Sequence, residues 1–341
     1  MAPAFVALNR SRAAGAGLDP FEYDRVTAGL ESVGDWPDAL AEVGRAHARA
    51  GEHAESAGNF VSAADSFRSA ARWLHLATTL PHPDRTALAS HEDAADAAMG
   101  RALALAEPHT AERISGPGFT GWLRRPSEVP DAPVVLIAPG LDSSKEEFHL
   151  LADALLQRGI AVAAFDGPGQ GRNAVAAPPE PAYEKVVAAV LDVLGPTRGV
   201  DTSRAGLIGM SLGGFYAAVA AAREPRLRAA VGVSGPYRLR WEQLPPFVTD
   251  TLTQRCGSPD AAREFAAHVD LTAIAPQIPI PLLVVDGGTD VTPGVENGEA
   301  LAQAAPHGEY VLVPHGDHLL GNARADWLPR TADWITARVR D

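Results

Sequence analysis

Three residues far apart in the chain have the types needed for nucleophilic chemistry: Ser211, Asp290 and His318. A serine hydroxyl attacks a carbonyl only when a base removes its proton, and a histidine serves best when a carboxylate holds its ring. Ser211 sits in Gly209-Met210-Ser211-Leu212-Gly213-Gly214. The G-x-S-x-G pattern alone says little in a chain of 341 residues with 32 glycines. Its surroundings say more. The apolar run AGLIG leads into it and the helical run LGGFYAAVAAA leaves it. A serine on so tight a strand-to-helix turn is held in strained geometry with its hydroxyl outward, and its neighbours two before and two after must be small. Here both are glycine.

Asp290 follows PLLVVD in the segment GGTDVTP, and His318 follows EYVLVP in HGDHLLGN. Each is expected just past a strand, where parallel sheets gather their chemistry. The order serine, acid, histidine is the one such a turn calls for. Asp286 and His315 are rivals, but Asp286 lies at a strand edge, and His315 lies nearer its strand, where packing or a hydrogen bond would account for it. Asp317 reads as a turn residue. A tetrahedral oxyanion needs preorganised donors. The amide of Leu212, at a helix N-terminus, is one. The amide of Leu141, in the loop APGLDSS where Gly140 permits a tight turn, is the second.

The elements that must hold these residues follow from periodicity. Residues 1–107 read as helical and Ala-rich. Phe60, Val61, Ala64, Phe67, Ala71, Leu74 and Ala77 recur at spacings of three and four, predicting one buried face of a helix. Another helix is expected from Trp36-Pro37-Asp38 towards Gly51, with Asp35 as N-cap. A third is expected from about Thr86 to Ala106. After Pro108 the texture changes. Gly116 to Arg125 reads as extended segments joined by turns. Apolar runs of strand length follow at 134–138, 160–165, 205–208, 229–233 and 281–285. Helical stretches at 147–158, 183–194 and 215–223 separate them, and a last helix is expected over 326–339. Such alternation predicts a mostly parallel sheet covered on both faces. The expected organisation is therefore a helical cap domain over 1–107 and an α/β domain over 108–341. Residues 234–280 serve as a secondary lid.

Composition bounds the function. The net charge is −13 with no basic run, which argues against a nucleic-acid partner. A single cysteine, Cys256, excludes an internal disulfide and a C-x-x-C metal site. No apolar run of membrane-spanning length and no secretory leader is read, so a cytoplasmic protein with no membrane partner is expected. No cofactor and no metal is called for, and the expected partner is a small-molecule substrate.

Four motifs then carry a resemblance: PGLDSSKEE at 139–147, FDGPGQG at 165–171, GMSLGGFYA at 209–217 and GDHLLGN at 316–322. The chain resembles the α/β-hydrolase superfamily, and within it the subgroup of the 2,6-dihydroxypseudooxynicotine hydrolase and the fungal pigment-pathway polyketide-shortening hydrolases. The resemblance implies an N-terminal helical domain over the site, the triad Ser211, Asp290 and His318, and a homodimer. It implies esterase or carbon–carbon hydrolase activity in secondary metabolism. It also implies a pocket role for Glu242, as a second acid that protonates the carbanion of a carbon–carbon cleavage. Pairing with Arg238 or Arg240 at the surface is the alternative for Glu242. The chain departs from the pattern at Asp286, where histidine is common, and at Leu319 and Leu320, where cysteines are. A serine hydrolase of an ester, lactone or ketone-adjacent carbon–carbon bond is the first reading. An acyl transferase, cyclase or lyase on the same site is the alternative, and a non-catalytic binding protein with a relic site is the third.

Overall fold

The structure is a computed structural model and describes residues 2–82 and 84–340. Five helices come first: α1 (Ala2–Gly15), α2 (Pro20–Thr27), α3 (Trp36–Ser56), α4 (Phe60–Leu76) and α5 (Arg85–Ala106). On α4 the face of Ala64, Phe67, Ala71, Leu74 and Ala77 is buried. Phe60 and Val61, predicted on that face, are exposed in the first turn of the helix. Small residues let α3 and α4 approach: a Cβ on Gly51 would lie 2.8 Å from the ring of Phe67. Trp36, Trp73 and Tyr23 fill a core of this region's own. Asp35 holds the N-cap position of α3 as predicted, but its side chain makes no capping bond to that helix. It closes a 3-10 turn, and its carboxylate accepts the Ser32 N–H at 2.7 Å instead.

The chain continues as β1 (Ala111–Gly116), β2 (Phe119–Arg124), β3 (Ala132–Ala138), α6 (His149–Leu156), β4 (Ala161–Asp166), α7 (Glu184–Leu194), β5 (Val200–Met210), α8 (Leu212–Arg223) and β6 (Leu227–Val233). Then follow β7 (Arg238–Leu239), α9 (Pro246–Cys256), α10 (Pro259–His268), β8 (Leu282–Gly287), β9 (Val295–Glu296), α11 (Glu299–Ala304), β10 (Gly308–Val313) and α12 (Arg324–Arg340). Eight strands form one sheet in the order β1-β2-β4-β3-β5-β6-β8-β10. β2 pairs antiparallel with β1 and β4, and the rest run parallel. The β2 residues Thr120–Arg124 meet Asp166–Val162 of β4.

Both faces of the sheet are covered, which is why the stretches 134–138, 205–208 and 229–233 of its central strands are continuously apolar and do not alternate. One layer of core joins the sheet to α7 and α8, and the other joins it to α6 and α12. Order matters here for function: β3, β5, β6, β8 and β10 are neighbours and parallel, so their carboxyl ends lie along one edge. The 234–280 segment holds α9 and α10, each opened by a proline in its first turn, which is favourable there because that residue's N–H would have no helical partner. Among the described residues no helix is long and apolar enough to cross a membrane.

Candidate active site

Ser211 lies between β5 and α8 with φ 55° and ψ −126°, a conformation costly for a residue with a Cβ. The turn is tight enough that a Cβ on Gly209 would collide with the Gly213 carbonyl, and one on Gly213 with the Ala138 carbonyl. That is the physical need behind the two glycines. The loop after β3 passes alongside, and a Cβ on Gly140 would lie 2.8 Å from the Cβ of Ser211.

His318 Nε2 stands 2.9 Å from Ser211 Oγ, and His318 Nδ1 stands 2.8 Å from Asp290 Oδ2. Asp290 follows β8 and is buried, while the His318 side chain keeps 44% of its surface open to the cavity it borders. Burial disfavours the imidazolium, but the hydrogen bond and charge of Asp290 outweigh it, so His318 is held above its ordinary 6.5. The rivals are elsewhere. Asp286 is buried and accepts the Gly298 N–H at 2.9 Å, and burial pushes its carboxyl up to about 6. His315 is exposed and pairs with Asp326 at 3.2 Å. Asp317 borders the cavity, and its N–H donates to Asn322 Oδ1 across the turn.

Leu141 and Leu212 border the same cavity as Ser211. Neither N–H has an acceptor among the described residues. Unpaired backbone donors are what an oxyanion site requires.

The loops bearing these residues are tied down by groups that the sequence reading did not single out. Gln170, from FDGPGQG, donates to the carbonyls of Pro139 and Gly140, and its Oε1 accepts from Tyr183 at 2.6 Å and from the Gly167 N–H at 2.8 Å. Asp166 accepts both the Lys145 N–H at 2.8 Å and the Lys145 ammonium at 2.7 Å. The two motifs are therefore one hydrogen-bonded unit behind the loop that carries Leu141. Ser234, at φ 52°, accepts the Leu319 N–H at 3.1 Å and so fixes the backbone next to His318. The matching of charged residue in SSKEE with FDGPGQG was the available signal, since buried charges must be paired.

The cavity holds about 260 Å³. α1 contributes Phe5, Leu8, Asn9 and Arg12, and the loop after α4 contributes Thr79 to Pro81. α9 contributes Phe247, Val248, Thr251 and Leu252. Most of the wall is apolar, and Arg12, its one Lys or Arg among the described residues, is bound to Asp142 of the same wall at 2.9 Å.

Glu242 requires a correction. It lies in a 3-10 turn before α9, its side chain is 75% exposed, and it is not part of the cavity wall. Its partner is Arg263 at 2.5 Å, whereas Arg238 pairs with Asp270 at 3.2 Å and Arg240 with Glu296 at 3.4 Å. The reason is that α9 follows immediately and fills the place over the strand ends with Phe247 to Leu252. Among the described residues no group of three or more His, Cys, Asp or Glu side chains is placed to hold a metal ion.

A family profile described as serine aminopeptidase, S33, matches residues 130–258, which include Ser211 but end before Asp290 and His318. The chain is 30% identical over 228 residues to the 2,6-dihydropseudooxynicotine hydrolase of Paenarthrobacter nicotinovorans, covering 65% of this chain and 62% of that protein. It is 31% identical over 209 residues to the alpha/beta hydrolase xenA of Xenoacremonium sinensis, covering 57% of this chain and 48% of that one. The matches thus span about half to three fifths of the length of these curated relatives. A crystal structure of the 2,6-dihydroxy-pseudo-oxynicotine hydrolase superposes with a TM-score of 0.84 over 96% of this chain and 95% of its own, at 26% identity. The helical region and the mostly parallel sheet fall within that likeness, and the chain has the α/β-hydrolase fold.

Proposed function

We propose that this protein is a serine hydrolase that cleaves an ester or lactone of a small, neutral, largely apolar molecule. The observation that carries the reading is the continuous hydrogen-bonded line from Ser211 Oγ through His318 to Asp290, at 2.9 and 2.8 Å, opening on the cavity. His318 takes the proton of Ser211 as the oxygen attacks the substrate carbonyl, and Asp290 orients the ring and stabilises its cation. The amides of Leu141 and Leu212 receive the oxyanion. His318 gives its proton to the departing alkoxide, then activates a water that releases the acid.

Two features favour an oxygen leaving group and hydrolysis. An alkoxide can take its proton from His318, whereas a carbanion calls for a second acid, and Glu242 stands on the outer surface. His318 is open to the cavity, so water reaches the base, which weighs against acyl transfer, cyclisation or a lyase reaction. The largely apolar wall, with Arg12 paired to Asp142, suits an uncharged substrate. The names of the relatives, an oxynicotine hydrolase and a fungal hydrolase, are consistent with small-molecule work. The homodimer implied by the resemblance belongs to the same reading, and sedimentation of the purified protein tests it.

A panel of aryl esters, lactones and β-diketones, run with the wild type and Ser211→Ala, tests the proposal. The expected result is turnover of esters or lactones that Ser211→Ala abolishes. Turnover of diketones alone, or ester turnover that survives Ser211→Ala, overturns it.

A further inference from the structure

The guanidinium of Arg12 spends all its bonds on one short stretch of the α/β region. Nε and Nη2 form a fork on Glu147, at 2.7 and 2.9 Å. Nη1 donates to Asp142 Oδ2 at 2.9 Å, and Nη2 also donates to the Asp142 carbonyl at 3.2 Å and Ser143 Oγ at 3.1 Å. The side chain is 11% exposed, so these are charge-assisted bonds shielded from water. Asp142 is the residue after Leu141, which borders the cavity shared with Ser211 and whose N–H has no acceptor among the described residues. Arg12 comes from α1, which is 130 residues away in sequence.

The same helix also fixes the other side of the site. The backbone of α1 lies against the loop that carries His318. A Cβ on Gly321 would collide with the Ser11 carbonyl, and one on Gly15 would lie 3.0 Å from Gly321 Cα. One rigid helix therefore touches both the loop with Leu141 and the loop with His318. The far end of the link is anchored too. Glu147 Oε2 accepts from His75 of α4 at 3.1 Å, and the other ring nitrogen of His75 meets Glu92 of α5 at 3.2 Å.

We infer that Arg12 is a positioning residue for hydrolysis: by gripping Asp142 it holds the Leu141 amide at the oxyanion position, so that α1 completes the reaction site and does more than roof it. This inference rests on the serine-hydrolase reading. A planar fork is needed for it. Lysine keeps the charge at Arg12 but cannot serve Glu147, Asp142 and Ser143 at once. Asparagine at 142 keeps the shape of the loop but loses the charged contact.

The test uses the full chain, the aryl ester best turned over by the wild type, and phenylboronic acid, whose adduct with serine is tetrahedral. Arg12→Lys and Asp142→Asn should each lower kcat by about ten- to a hundredfold, short of the loss of an oxyanion donor itself. KM should move by less than about threefold, and boronate affinity should fall in step with kcat. The double variant should be no worse than the weaker single, because both remove one contact. If Arg12→Lys fails to fold, Asp142→Asn decides alone. A rise in KM with boronate affinity unchanged would make Arg12 a substrate contact and overturn the inference, as would wild-type kcat in Asp142→Asn. If ester turnover survives Ser211→Ala, the hydrolase reading itself has failed. If Ser211→Ala is dead and both other variants keep kcat within twofold, only the positioning role has failed.

Discussion

Ser211 Oγ and His318 Nε2, 107 residues apart in the chain, stand 2.9 Å from one another at the carboxyl edge of the sheet. A distance this short between a hydroxyl and a ring nitrogen is that of a proton ready to be shared. Ser211→Ala should therefore abolish ester turnover, by roughly 10⁴- to 10⁶-fold in kcat. The melting transition should stay within a few degrees, because the hydroxyl borders the cavity and packs no core. Enzyme assay and thermal denaturation of the same preparation check both halves.

The pH profile follows from the base. His318 must be neutral to accept a proton, and Asp290 holds it above its ordinary 6.5 against the opposing effect of burial. The acid limb of kcat/KM should thus lie above the position of a free imidazole, with activity falling as pH falls through it. Asp290→Asn removes the partner that raises this value. Its acid limb should move to lower pH, and kcat should drop by about 10⁴-fold. An acid limb that stays where it was in Asp290→Asn would separate Asp290 from the base.

A histidine outside the site titrates for structure. His75 lies between Glu92 and Glu147. Burial disfavours its cation, yet the charges and hydrogen bonds of the two carboxylates win and push it up to about 10. In the unfolded chain the ring titrates near 6.5. The native state then binds a proton that the unfolded state lacks between about 6.5 and 10. The stability this ion cluster supplies is full below pH 6.5 and is lost as pH rises towards 10. Urea denaturation at pH 6.5, 8 and 9.5 should show the decline in the wild type, and His75→Gln should flatten it.

Much of the site was legible because its signals are local. A strand, a glycine-flanked serine and a helix occupy consecutive residues, and Asp290 and His318 each sit just past an apolar run. What was missed depends on pairing across the fold. The run Lys145-Glu146-Glu147 looks like a solvated face, yet all three are buried. The groups that pair with Lys145 and Glu147, namely Asp166, Arg12 and His75, lie on β4, α1 and α4, and no spacing rule links those positions. Glu242 was misplaced for the same reason. Its distance from Ser211 along the chain says nothing of how α9 fills the space above the strand ends. Phe60 and Val61 had the right period but lie at the start of a helix, where periodicity outruns packing.

Removing the Glu242 charge should accordingly do little. Its bond to Arg263 joins two exposed side chains, and such pairs contribute about 1 kcal/mol or less. Glu242→Gln should keep kcat/KM for esters within about twofold and shift the melting temperature by no more than a few degrees. A hundredfold loss of turnover would return Glu242 to the chemistry and reopen carbon–carbon cleavage.

The rim of the cavity bears on substrate length. Leu8 of α1, Phe247 of α9 and Val291 of the loop after β8 all border the cavity, yet they are 57, 49 and 82% exposed. Three large apolar side chains from three separate elements thus meet water beside one opening. A cavity of about 260 Å³ encloses only a compact group, so the remainder of a larger substrate would pass across this rim. Each additional methylene buried there should contribute up to about 0.8 kcal/mol, or roughly fourfold in KM, until the rim is spanned. A series of p-nitrophenyl esters from acetate to decanoate should show KM falling with chain length. Phe247→Ser should blunt that fall while leaving the acetate unchanged, since the short ester reacts inside the cavity. If the acetate and decanoate lose equally in Phe247→Ser, the residue supports α9 and does not contact the substrate.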